Sequence, residues 1–86
     1  WHRLTKNETL HFYKGDPIKI FYSSDEININ SVILGKENYF TYTVKAGTWF
    51  AMESTGEYSL IGCTVAPAFN YKDFELAPKN WSPGKE

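Results

Sequence analysis

The chain has a single cysteine, Cys63, and only two histidines, His2 and His11. One thiol excludes an internal disulfide and any zinc site built on cysteines, and it sets the expectation of a reducing, cytoplasmic setting. Two histidines cannot supply a three-histidine metal centre. Excess charge of either sign is missing too: 9 Lys and Arg face 10 Asp and Glu, for a net charge of −1. That balance argues against a nucleic-acid partner, which calls for a basic stripe. The lysines come singly (Lys14, Lys19, Lys36, Lys45), so no polybasic membrane patch forms. No apolar run approaches the ~18 residues of a membrane span. The longest lie within Ser31–Gly35 and Ser59–Cys63. No secretory signal is visible, and no glycine spacing matches a phosphate loop. The chain opens on Trp1 rather than Met, so the expectation is a fragment or a processed product.

What is abundant is aromatic. Three Trp, six Tyr and six Phe make up 17% of 86 residues. That length is one small domain, and a domain of this size buries only about 60–65% of its unfolded surface. Large aromatic contributions, a staple or a partner subunit must make up the difference. Short β-forming runs alternate with turn signals. Thr9–Lys14 runs into Gly15-Asp16-Pro17, and Ile18–Tyr22 follows with Ile18, Ile20 and Tyr22 on one face. Ile27–Asn30 alternates and leads into Val32–Leu34, which ends at Gly35; Thr41–Lys45 stops at Ala46-Gly47. Thr48–Glu53 and Tyr58–Ala66 complete six or seven strands near ten-residue spacing. Such spacing predicts an antiparallel sandwich or barrel. The one helical candidate is a turn over Tyr71–Leu76, capped by Asn70 with Asp73 in its first turn. Residues 77–86 read as a loose tail after a 1–76 domain.

Two segments resemble the conserved motifs of the cupin superfamily. His2, Glu8 and Gly15 occupy positions of its first motif, with Leu4 where a second histidine would stand. Val44–Phe50 resembles the second: Gly47 matches, while Lys45 replaces a proline and Phe50 a ligand histidine. His2–Pro17, Ala46–Trp49 and Gly62–Leu76 together look like a family of uncharacterised small cupins, similar to the dTDP-sugar epimerase branch. The resemblance implies an all-β double-stranded β-helix, a jelly-roll barrel whose opening strands precede residue 1 and often serve a homodimer interface. It also implies that His2 stands where the related epimerase keeps its base. The strand that carries that enzyme's tyrosine acid reads Leu60-Ile61-Gly62 here, leaving Tyr13 or Tyr58 as substitutes.

Each candidate carries a plainer reading beside the functional one. His2, Glu8 and His11 are arithmetically a two-histidine, one-carboxylate triad, yet Glu8 and His11 differ by an odd number and fall on opposite faces of a regular strand. No metal or other cofactor is therefore expected. His2 with Glu8 forms a candidate acid–base pair. Equally, His2 reads as an exposed residue at the chain start, Glu8 as a strand-edge charge and His11 as a hydrogen-bonded strand histidine. Trp49 and Phe50 are adjacent, so only one faces the core. Cys63, between Gly62 and Thr64, reads as a small buried hydrophobe. The expectation is a small polar or sugar-like ligand bound in the barrel interior without a metal, lined by His2, Glu8, His11, Tyr13, Trp49 and Phe50. The alternatives are a sugar isomerase or epimerase using His2 with Glu8, and a structural or dimerisation module with a plugged cavity.

Overall fold

The computed structural model describes residues 1–36, 39–66, 72 and 74–84. Eight strands run in chain order: β1 His2–Leu4, β2 Asn7–Gly15, β3 Ile18–Ser23, β4 Asn30–Leu34, β5 Thr41–Val44, β6 Trp49–Ser54, β7 Ser59–Ala66 and β8 Phe74–Leu76. They form a five-stranded sheet of order β4-β3-β6-β1-β8 and a three-stranded sheet of order β5-β2-β7. Every strand pairing is antiparallel. The two sheets face each other across one core, the jelly-roll architecture expected from the sequence.

The core follows from strand alternation. Ile18 and Ile20 of β3, Leu34 of β4 and Phe50 of β6 point from the larger sheet. Leu10 of β2 and Val44 of β5 meet them from the smaller one. Lys19, between two inward isoleucines, points outward with its ammonium 5.1 Å from the Phe21 ring. The turn between β2 and β3 depends on Gly15, whose φ of +99° suits a residue without a side chain. A Cβ there would also stand 2.6 Å from the Tyr58 carbonyl oxygen.

Three expectations are corrected. Phe74–Leu76 is strand, not helical turn: His2, Arg3 and Leu4 pair with Leu76, Glu75 and Phe74. A free edge on β1 takes up this segment, and ladder pairing outweighs a one-turn helix, which has few internal bonds. Asn70, Tyr71 and Asp73 lie outside the described residues. Ile27–Ile29, despite its alternation, is not strand. The Asp25 carboxylate accepts from the Ile27 and Asn28 backbone N–H groups at 2.9 and 2.8 Å, and Glu26 takes a left-handed φ of 63°. A side-chain-capped turn thus takes the donors a ladder would need. Finally, the tail is docked where it is described. The Ala77 N–H bonds the Trp1 carbonyl, the Gly84 N–H bonds the Glu26 carbonyl, and the Trp81 ring lies 4.9 Å from that of Trp49.

Candidate functional site

Strand parity decides which candidates share a surface. On β2, Glu8 and Leu10 are buried and face the core. Thr9, His11 and Tyr13 therefore face outward. On β6, Phe50 faces in and Trp49 out. On β1, His2 is directly opposite Phe50 and shares its face. Of the six expected lining residues, the interior receives His2, Glu8 and Phe50. His11, Tyr13 and Trp49 stand on outer surfaces, so a single pocket wall made of all six does not form.

His2 lies among aromatic rings, 4.1 Å from Phe50 and 5.5 Å from Phe74 between centroids. Burial lowers its pKa, and the positive chain terminus adds to the effect. The imidazole is therefore held toward its neutral form, able to accept a proton or a hydrogen bond. Glu8 is nearly buried. Burial raises its carboxyl pKa, and a hydrogen bond from the Cys63 thiol partly opposes that rise. Cys63 is exposed rather than buried. Its position opposite Leu10 places it on the inner face of β7, one of the two edge strands of the three-stranded sheet. Its thiol pKa is raised, first by loss of solvent and then by the Glu8 charge, so it is a weak nucleophile. Among the described residues, no three His, Cys, Asp or Glu side chains converge in a way that would hold a metal ion.

Trp49 is buried from outside the sheet. Its indole N–H donates to Glu26 Oε1 at 2.8 Å, and the Arg3 guanidinium sits 4.5 Å over its ring. Arg3 is held in turn by Glu75 at 2.9 Å. Together with Trp81, these groups latch the tail to the back of β6. On the outer face of the smaller sheet, His11 Nε2 lies 3.1 Å from Thr64 Oγ1. The His11 and Tyr13 rings are nearly parallel, 9° apart with centroids at 6.4 Å.

One cavity uses different residues, while a second and larger one, about 400 Å³, is lined by Val32, Ile33, Lys36 and Tyr39. The first, about 230 Å³, opens between the sheets at the β5 side, lined by Tyr22, Ser24, Tyr42, Thr43, Val44, Lys45 and Thr48. The two tyrosine rings pack at 5.5 Å. Burial first, then the hydrogen bond and charge of Tyr22, push the Tyr42 pKa up to about 12, so its hydroxyl stays protonated at any physiological pH. The far wall is fixed by the loop after β5. There the Ala46 N–H donates to Asn7 Oδ1 and the Gly47 N–H to the Leu4 carbonyl, at 2.8 and 2.7 Å. The cavity adjoins the expected interior residues through their strand partners: Val44 opposite Glu8 and Tyr22 opposite Phe50. Tyr22 and Tyr42 were not singled out as site residues from the sequence. The available signal was a tyrosine at an inward position of an otherwise apolar or alternating strand.

Comparison with known proteins bears on the whole architecture. A family model described as Cupin superfamily (DUF985) matches residues 1–77. A crystal structure of a protein from Shewanella oneidensis superimposes with a TM-score of 0.82 at 32% identity, covering 88% of this chain and 51% of that one. A hypothetical protein from Leishmania major gives a TM-score of 0.75 at 28% identity, with 88% and 55% covered. This chain thus spans about half the length of those relatives. No curated protein matches. Two facing antiparallel sheets and a family match over nearly the whole chain lead to one conclusion: the chain belongs to the cupin superfamily, in the family DUF985.

Proposed function

We propose that this cupin domain binds a small polar ligand, of the size of a single sugar ring, in the inter-sheet cavity and without a metal. The observation that carries the reading is the Tyr22–Tyr42 pair, two aromatic rings bearing hydroxyls at the wall of that cavity. A binding site for a polyol needs an apolar wall and a few fixed hydroxyl donors. Val44 and the two rings form the wall; Tyr42, Ser24 and Thr48 supply hydroxyls, and Lys45 an exposed ammonium. The volume lies below the ~300–1,000 Å³ of drug-sized sites, which favours a monosaccharide over a sugar nucleotide. None of the lining groups is an imidazole, thiolate or carboxylate, the ligands a zinc or iron ion prefers.

The test is thermal denaturation against a panel of monosaccharides, sugar acids and sugar nucleotides. A ligand present at 100 times its dissociation constant stabilises the folded state by about 2.7 kcal/mol. At least one monosaccharide should raise the melting temperature, and Tyr42→Phe should abolish that shift while leaving the unliganded melting point nearly unchanged. If no member of the panel shifts the wild type, or if Tyr42→Phe binds as well as wild type, the proposal fails.

A further inference from the structure

The inter-sheet cavity is lined by hydroxyls and by a single formal charge. Tyr22, Ser24, Tyr42, Thr43 and Thr48 bring five hydroxyls to it and Lys45 brings an ammonium; among the described residues no carboxylate lines it. Lys45 sits just past the end of β5, at the start of a turn whose backbone groups are already taken. Its carbonyl accepts from the Thr48 N–H at 3.1 Å, and the N–H groups of Ala46 and Gly47 are bound to Asn7 and Leu4. The turn thus fixes where the Lys45 stem leaves the backbone at the cavity rim.

Two carboxylates adjoin this wall, one by strand pairing and one by sequence, and both are engaged elsewhere. Glu8, directly across from Val44 on β2, is nearly buried and takes the Cys63 thiol of β7, the strand on its other side. Asp25, next to Ser24 in the chain, accepts from the Ile27 and Asn28 backbone N–H groups and from the Asn28 side-chain amide, at 2.9, 2.8 and 2.8 Å. Among the described residues no carboxylate ion-pairs with Lys45. The Tyr42 hydroxyl, held protonated by burial first and by Tyr22 second, stays neutral beside an incoming anion.

Resting on the cavity reading above, we propose that its ligand is a monosaccharide acid, a single sugar ring whose carboxylate is met by Lys45 and whose ring lies against Tyr22 and Tyr42. An ionised carboxylate only accepts hydrogen bonds, and bonds to it from an ammonium or a hydroxyl are stronger than those to a neutral oxygen. A neutral hexose would use the hydroxyls and leave the one charge of the wall unanswered. A phosphorylated sugar brings nearly two charges and favours an arginine fork or a nest of free backbone N–H groups. The wall has no arginine, and its N–H groups at Ala46, Gly47 and Thr48 are already bound. One ammonium answers one carboxylate.

Amide NMR titrations with glucose and glucuronate, galactose and galacturonate, and glucose 6-phosphate test the assignment. Each hexose differs from its uronate only in carrying a hydroxymethyl group in place of the carboxylate. At least one uronate should shift the amides of Ser24, Val44 and Thr48 and bind about fivefold more tightly than its parent hexose, the scale of an ion pair open to solvent. Raising sodium chloride from about 20 to about 500 mM should narrow that preference. Lys45→Met, which keeps the stem and removes the charge, should bring the uronate down to the level of the hexose. Lys45→Arg should keep the preference, with the circular dichroism spectrum of both variants matching wild type. Three results overturn the acid assignment and leave the cavity reading standing: a hexose that binds the cavity as tightly as its uronate, glucose 6-phosphate binding there more tightly than either uronate, or a Lys45→Met variant that still prefers the uronate. Shifts with none of these sugars, or shifts confined to residues outside the cavity, overturn both.

Discussion

Replacing Trp49 by Phe separates a pocket wall from a structural latch. The indole N–H bond to Glu26 Oε1, at 2.8 Å, is lost outright. Hydrogen bonds to charged groups contribute about 1.5–3 kcal/mol, and the Glu26 side chain is 55% exposed, so solvent screening brings this one to about 1 kcal/mol. The smaller ring also weakens the stacking of Arg3, held 4.5 Å above it, and the contact with Trp81 at 4.9 Å; each accounts for about 0.5 kcal/mol. The total is about 2 kcal/mol, against a whole-domain stability of roughly 4–13 kcal/mol for a chain of this size. The variant should stay folded and melt roughly 8–16 °C lower. Hydrogen exchange should rise first at the Ala77 and Gly84 amides, which anchor the tail to Trp1 and Glu26. Ligand-induced stabilisation, measured relative to the variant's own melting point, should be unchanged, because Trp49 faces away from the cavity. A variant that melts like wild type but no longer responds to ligand would refute this placement and restore Trp49 to the pocket.

Other perturbations probe the interior and its charges. Phe50→Ala, at a side chain 1% exposed, should cost about 3–5 kcal/mol by deleting packed atoms and leaving a cavity, read as a lower urea midpoint. That loss consumes most of the stability at the low end of the range, so Phe50→Leu is the milder companion variant. Glu8 has its pKa raised by burial. The folded state therefore binds its proton more tightly than the unfolded chain does, and stability from this group is full in acid and fades as pH rises through the folded pKa. Glu8→Gln should remove that loss, gaining on wild type in a melting-curve series as pH rises above the unfolded carboxyl pKa and levelling off once the folded carboxyl has ionised. Asp25 works in the opposite direction. Backbone N–H bonds from Asn28 and Ile27 hold its carboxyl well below the usual range, so its contribution is present above the unfolded pKa and lost as pH falls. In Asp25→Asn the acid limb of the stability profile should flatten; an unchanged limb would show that the turn does not depend on the carboxylate.

Most of the strand order was legible because it rests on local rules. Apolar alternation in Ile18–Tyr22 and turn chemistry at Gly15-Asp16-Pro17 specify β2, β3 and the turn between them without any long-range information. What was not legible depends on distant partners. β1 and β8 have three residues each, too short for a period to register, and they exist because each completes the other's ladder. Ile27–Ile29 alternates as a strand should, yet a single carboxylate at Asp25 recruits its backbone into a turn. The site followed the same division. That Glu8 and His11 oppose each other was readable from an odd spacing, and so was the separation of Trp49 from Phe50. Which of each pair faces inward was not, since that requires the register between sheets.

That register also distributes much of the aromatic excess over several places rather than one pocket. Phe50 fills the core with Phe12 packed against it. Trp1, Trp49 and Trp81 cluster behind the larger sheet, Tyr22 and Tyr42 edge the cavity, and Tyr13 lies on the far face of the smaller sheet. A chain of this length has too little interior to hide fifteen aromatic rings, and two sheets present four faces on which to place them. The tryptophan cluster supplies burial that the core alone cannot, by folding residues 77–84 back as a third layer over β6 and β1. The tyrosines, whose hydroxyls tolerate water, take the half-exposed positions. Solvent access separates particular rings: Phe50 is inside, Trp49 lies under the tail with its N–H satisfied by Glu26, and Tyr22 and Tyr42 stand at the boundary, while Phe40 and Phe74 are exposed. A boundary ring with a fixed hydroxyl is what a polar ligand requires, and Tyr22 and Tyr42 at the cavity meet that need where the buried Phe50 does not.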